Sequence, residues 1–173
     1  NRLMDLGGGS GVLSMALLRH NAHLAATIVD IPNVCSAGHE LAAATSLADR
    51  LAFHPADFMR DELPMGFDMV IQCDVRVYNK PLFAKIHKSL NPGGRFVIVD
   101  QFAPARGIAP SSRISWALQR SLLDPAYSCP TSSELVSMLE ESGFHPATPV
   151  ALTDVDSEAS QFSGDMVVIE SRI

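Results

Sequence analysis

Cysteine is scarce in this 173-residue chain, and the few present form no motif. Cys35, Cys73 and Cys129 lie far apart with no CxxC among them, so no disulfide framework and no metal site is expected. An odd, scattered set of this kind reads as reduced thiols in a cytoplasmic protein. Aromatics make up only 6% of the chain, with one tryptophan. No apolar run reaches the ~18 residues that a membrane-spanning helix needs. Basic runs are missing too: 13 Lys and Arg stand against 19 Asp and Glu, a net charge of −6, which argues against a nucleic-acid partner. Repeats and low-complexity tracts are absent. The 47% hydrophobic content is that of a globular chain. The length is one domain's worth, enough to bury about 70% of the unfolded surface without a staple.

What the chain does have is an alternation of apolar strand-like runs and helical patterns. Strands are expected at 2–6, 24–30, 50–54, 68–73 and 95–100. Helices are expected at 11–20 with Ser10 as cap, at 33–48 on a Val34, Leu41, Ala44 and Leu47 stripe, and at 81–90. Asn91-Pro92-Gly93-Gly94 is a turn. After a Pro, Gly and Ser-rich loop at 101–112 come helices at 113–123 and 131–142, the latter with a Thr131/Glu134 capping box and a closing Gly143. Two late strands, 147–152 and 166–170, flank a polar hairpin. Continuous apolar strands separated by helices predict a Rossmann-like, doubly wound, mostly parallel α/β sheet with a late antiparallel hairpin at its edge. Ligands in such sheets bind at the carboxyl ends of strands near the switch in strand order. That singles out Asp5 to Gly11, Asp30, Asp57, Gln72 to Asp74 (with Cys73 between them), and Asp100-Gln101.

The opening strand runs straight into Leu6-Gly7-Gly8-Gly9-Ser10-Gly11 and then a helix. Such a turn lets a ligand touch the backbone and leaves N–H groups at the helix start unpaired. The dinucleotide pattern G-x-G-x-x-G fails in both registers: six positions from Gly7 comes Val12, and from Gly9 comes Ser14. What fits is G-x-G-x-G at Gly7, Gly9 and Gly11 behind an acidic Asp5. An acid there repels a diphosphate and suits a cation. Asp30 ends the second strand, where a carboxylate can accept both ribose hydroxyls. Asp57 can take an adenine amine while Phe58 or Met59 covers the ring; it can equally cap its own turn. An amino-acid cation, a ribose and an adenine together are S-adenosylmethionine.

DLGGGSG, IVDIP, ADF, FDMVIQC and LNPGGRFVIVD, in this order and spacing, resemble the class I S-adenosylmethionine-dependent methyltransferases. More narrowly they resemble the small-molecule O-methyltransferase family of hydroxyindole and caffeate enzymes. The resemblance runs through Glu141-Ser142-Gly143-Phe144. It implies a seven-stranded sheet with a late antiparallel strand, so that 1–173 is the catalytic domain. It also implies a preceding helical domain through which the chain forms a homodimer, which agrees with a sequence that opens inside its first strand.

Enzymes of that family carry a base histidine in a Leu-His-Asp-Trp-like stretch after the fourth strand. Here the stretch reads Cys73-Asp74-Val75-Arg76-Val77-Tyr78-Asn79, with Val77 at the histidine position. The acid that would orient the histidine is also missing, since the corresponding segment is Cys129-Pro130-Thr131. Methyl transfer rests mainly on collinear alignment; a base matters only when a proton must leave. The sequence therefore favours a small-molecule acceptor at sulfur, nitrogen or an activated carbon, or else a substitute base, Asp74 or Tyr78. Trp116, Arg113 and Arg120 on the 113–123 helix are acceptor candidates, through cation–π and carboxylate contacts. The competing reading is a non-catalytic sensor that binds the cofactor. A nicotinamide oxidoreductase is disfavoured by the glycine register.

Overall fold

The computed structural model describes residues 1–103, 118–123, 130–151 and 166–173. In chain order these form β1 (Arg2–Leu6), α1 (Val12–His20), β2 (Ala25–Asp30), α2 (Pro32–Ala43), β3 (Leu51–Pro55), β4 (Phe67–Cys73), α3 (Lys80–Ser89), β5 (Leu90–Gln101), α4 (Ser132–Glu141), β6 (Val150–Ala151) and β7 (Met166–Arg172). One seven-stranded sheet results, in the order β3-β2-β1-β4-β5-β7-β6. The first five strands pair in parallel, and β7 lies antiparallel between β5 and β6. This is the doubly wound, mostly parallel sheet with a late antiparallel pair that the alternation of elements predicts.

Successive strand side chains point to opposite faces, and both faces are covered. Leu3, Ile28 and Ile71 join Met15, Leu18 and Ala42 in one core, under α1 and α2. Met4, Leu6, Val29 and Val70 join Leu82, Phe83, Ile86, Leu135 and Leu139 in the other, under α3 and α4. Strand order reverses between β1 and β4, so their carboxyl ends open the crevice where such sheets take ligands.

Several expectations need correction. The helix at 33–48 is α2, which starts with Pro32 at its first turn and stops at Ala43. Thr45 ends it: its hydroxyl and its N–H both bond the Ala42 carbonyl, and the same hydroxyl accepts the Leu47 N–H. The buried stripe is Cys35, Gly38 and Ala42, and Leu41 faces outward. Small residues win because Phe53 crowds the helix; a Cβ on Gly38 would sit 2.4 Å from its ring. Ser10 caps nothing, since the N-cap of α1 is Gly11, without a side-chain bond. The Asn-Pro-Gly-Gly turn is an excursion within β5: Phe67 pairs with Leu90, but Met69 pairs with Arg95. The Thr131/Glu134 capping box is present as expected. Gly143 closes α4 in a left-handed turn, with the Gly143 and Phe144 N–H groups returning to Glu140 and Leu139.

One arginine ties α1 to its neighbours. Arg50 donates to the carbonyls of Leu18, Asn21, Ala22 and Leu24 at 2.9–3.3 Å, at the carboxyl end of α1. A guanidinium suits the negative end of a helix, and its planar fork reaches four oxygens at once. Replacing Arg50 with alanine is expected to lower unfolding stability by about 1.5–3 kcal/mol, the usual worth of charge-assisted bonds. Arg50→Lys should recover less than half, because an ammonium cannot span the same carbonyls. Urea denaturation of the three proteins measures this; full rescue by lysine contradicts it.

Candidate cofactor and acceptor site

The glycine turn continues the ladder of β1 and then reverses. Gly7 N–H bonds Val29 O at 2.8 Å, and Gly11 N–H bonds Gly8 O at 2.9 Å. Gly7, Gly9 and Gly11 have φ of 71°, 59° and 81°, so the G-x-G-x-G spacing is one left-handed residue in two. A Cβ at Gly9 would meet nothing within 4 Å, so the crest of the turn is open to a ligand.

Two carboxylates back this turn. Asp5 is buried beneath it and accepts the Ser14 hydroxyl at 2.7 Å. Burial pushes its carboxyl above the ordinary range, the Ser14 bond pulls it back in part, and the charge of Asp30 pushes it up further. Asp30 grips the crest: its Oδ2 accepts the Gly9 N–H at 2.9 Å and its Oδ1 the Ile31 N–H at 2.8 Å. The arrangement concentrates negative potential where the open backbone is, which fits a cationic ligand and disfavours a diphosphate.

Asp57 stands at the end of β3 and organises a tight turn. It accepts the Met59 N–H at 3.0 Å, its own N–H goes to Asp61 Oδ2 at 2.8 Å, and Arg60 lies 3.6 Å away. Phe58 packs against the core, whereas Met59 is exposed. The structure thus gives Asp57 the capping geometry considered from the sequence; its second oxygen faces Arg60.

The loop after β4 touches the glycine turn directly. A Cβ on Gly7 would fall 2.8 Å from Val75 Cγ2, so the bare backbone of one loop seats the other. Asp74 and Arg76 have φ of 55° and 60°, a left-handed conformation rare for residues with side chains. Such strain persists only where neighbours over-determine it, and here they do. The Asp74 N–H bonds Val99 O at 3.0 Å, and Gln72 Nε2 donates to Val77 O at 2.8 Å. Arg76 pairs with Asp74 at 2.6 Å and lies 3.7 Å from Asp100 Oδ1. Its N–H goes to Asp100 Oδ2 at 3.2 Å. Tyr78 donates its hydroxyl to the same Asp100 Oδ2 and packs on Phe102, ring centroids 5.7 Å apart. Asp100 has no exposed surface, and burial pushes its carboxyl up. Cys73, half-buried, is also pushed up, by burial first and then by Asp5, Asp74 and Asp100.

The structure therefore brings Asp5, Gly7, Gly9, Gly11, Asp30 and Cys73 to the carboxyl ends of β1, β2 and β4, with Val75 of the next loop against Gly7, while Tyr78 packs against the core and donates to Asp100. Val77 packs against the core. Arg113, Trp116 and Cys129 lie outside the described residues, and Arg120 stands on the exposed helical residues 118–123. Sequence reasoning named Asp100 as a strand end without giving it a role, and overlooked Arg76. The signal available was an acid closing the clearest strand opposite an Asp-x-Arg segment.

Residues 1–145 match the family model of the O-methyltransferase domain, and the chain belongs to that family. An L-tyrosine C(3)-methyltransferase of Streptomyces lavendulae is 31% identical over 157 residues, covering 86% of this chain and 42% of the relative. A 3-hydroxy-5-methyl-1-naphthoate 3-O-methyltransferase of Streptomyces sahachiroi is 35% identical over 102 residues, covering 56% and 30%. The human N-acetylserotonin methyltransferase, solved in complex with S-adenosylmethionine, superposes with a TM-score of 0.75 at 20% identity, over 99% of this chain and 47% of that one. The chain spans less than half the length of these relatives. Among the described residues no helix is long and apolar enough to cross a membrane.

Proposed function

We propose that this domain binds S-adenosylmethionine on the glycine turn and transfers its methyl group to a small-molecule acceptor. The observation that carries this reading is the pair of carboxylates, Asp5 under the turn and Asp30 upon its crest, which repel each other until a cation arrives. The bound cofactor supplies an activated methyl on a sulfonium. The chain supplies the rest. The open backbone from Gly7 to Gly11 receives the amino-acid tail, Asp30 accepts the ribose hydroxyls, and the turn at Asp57 and Phe58 borders the adenine. The loop from Cys73 to Tyr78 positions the acceptor. The relatives' names include acceptors at carbon and at oxygen, so membership in the family leaves the atom open.

Calorimetry tests the cofactor. S-adenosylmethionine and its demethylated product should bind, and NAD should not. Asp30→Ala should weaken adenosylmethionine by about 10²-fold, from loss of a charge-assisted bidentate contact and of the latch on Gly9. Tight NAD binding with no heat from adenosylmethionine refutes the reading. Transfer of labelled methyl to any compound in a metabolite extract separates an enzyme from a sensor.

A further inference from the structure

Val77, where the resemblance would place a base histidine, packs against the core, while Tyr78 beside it reaches a buried carboxylate. We propose that Tyr78 is the residue that takes the acceptor's proton and that the buried Asp100 receives it through Tyr78. The proposal rests on the methyl-transfer reading above.

Three features of the structure support it. The first is connectivity: the Tyr78 hydroxyl donates to Asp100 Oδ2, and Asp100 has no exposed surface, so a proton reaches that oxygen through a group already bound to it. The second is the balance of charge. Arg76 Nε stands 3.7 Å from Asp100 Oδ1, and Asp74 holds the Arg76 guanidinium from the solvent side at 2.6 Å. Asp74 is thereby consumed as a partner of Arg76, with a side chain 63% exposed, and Tyr78 is left as the inner group. The third is placement. Val75, three residues before Tyr78, rests on Gly7 of the cofactor turn. The left-handed residues on either side of Val75, Asp74 and Arg76, hold that register. Among the described residues, Tyr78, Asp74 and Arg76 are the titratable groups that act on Asp100, which in turn acts on Cys73.

The step balances as follows. The acceptor oxygen forms a bond to the methyl carbon, and the carbon–sulfur bond pair returns to sulfur. The acceptor's O–H proton moves to Tyr78 Oη while the original Tyr78 hydroxyl proton moves to Asp100 Oδ2. The reverse shuttle through Tyr78 returns the proton to water. No oxidant or further reactant is needed. An aryl hydroxyl needs such a carrier, whereas an aryl thiol, already ionised near neutral pH, does not.

The test uses the full chain with S-adenosylmethionine and two probes, 1-naphthol and 1-naphthalenethiol. Calorimetry first confirms that the cofactor binds. For wild type, transfer to the naphthol is expected, with kcat falling as pH drops and Asp100 takes up its proton. In Tyr78→Phe the naphthol-to-thiol ratio of kcat should fall by about 10²-fold, with KM for the naphthol moving less than kcat. Asp100→Asn should abolish the acid limb of the naphthol profile. A second readout needs no turnover. Infrared titration of the protonated carboxyl should place Asp100 above the ordinary aspartate range, and higher still in Tyr78→Phe, because the phenol bond favours the charged form. The proposal is overturned by cofactor binding without transfer to the naphthol, by equal losses on both probes, or by an Asp100 that titrates as a free aspartate. Failure to bind the cofactor would refute the methyl-transfer reading itself.

Discussion

Gly11→Ala is expected to destabilise the domain by about 2–5 kcal/mol, while Gly9→Ala costs only about 1–2 kcal/mol. Both substitutions put a side chain on a left-handed residue, at φ of 81° and 59° respectively, and pay about 1–2 kcal/mol for it. Only Gly11 adds a collision. A Cβ there falls 2.5 Å from Ile28 Cδ1 and 3.6 Å from Leu51 Cδ2, in a closed core where Ile28 is wholly buried. Overpacking of that kind costs a further ~1–3 kcal/mol. Gly9 meets nothing within 4 Å. The difference between the two urea midpoints thus isolates the steric part, and equal losses would show that Ile28 yields freely. Function should divide the same way. Ile28 lies two residues before Asp30, so pushing it disturbs the carboxylate that holds the crest, and adenosylmethionine affinity should drop about tenfold or more in Gly11→Ala.

These glycines also show what could be read from the sequence. The alternation Gly7, Gly9, Gly11 was legible, because left-handed backbone at every second position favours glycine. The sheet was legible for a similar reason: strands buried on both faces are apolar throughout, and their ends are marked by Asp5, Asp30, Cys73 and Asp100. Gly8 was not legible. Its φ is ordinary, and what requires glycine is Asp5, whose Cγ would lie 2.5 Å from a Cβ. That is a tertiary contact with no local signature. The extent of α2 was misread because Thr45 takes the last helical carbonyl, a local competition that a hydrophobic stripe does not register. The Asp100 centre escaped for the same reason as Gly8: Tyr78 and Asp100 are 22 positions apart and meet only once β4 and β5 pair. Asp74 and Tyr78 were singled out together, but the fold assigns one to the solvent side of Arg76 and the other to the buried carboxylate.

Asp5 sets stability against binding. Its carboxyl is raised on folding, so the native state binds a proton more readily than the unfolded chain does, and unfolding stability falls as pH rises through the interval between the ordinary value of 3.8 and the raised one. Asp100 contributes with the same sign. Asp68 and Glu134 are lowered and act oppositely, their stabilisation being lost only as pH falls below the ordinary range. The two raised carboxyls therefore move the pH of greatest stability downward. Asp5→Asn keeps the shape and a partner for Ser14 but removes the buried charge. Unfolding stability at neutral pH is expected to rise, because the variant no longer carries the charge that burial disfavours. The fall in stability as pH rises above the ordinary aspartate range should flatten in the same variant. Binding should move the other way. Without the charge beneath the turn, adenosylmethionine affinity should weaken about tenfold, while that of uncharged adenosine changes little. Urea midpoints across pH, paired with calorimetry on both ligands, measure the exchange. An unchanged pH slope in Asp5→Asn would show that the carboxylate under the glycine turn is not held at a cost for the cation above it.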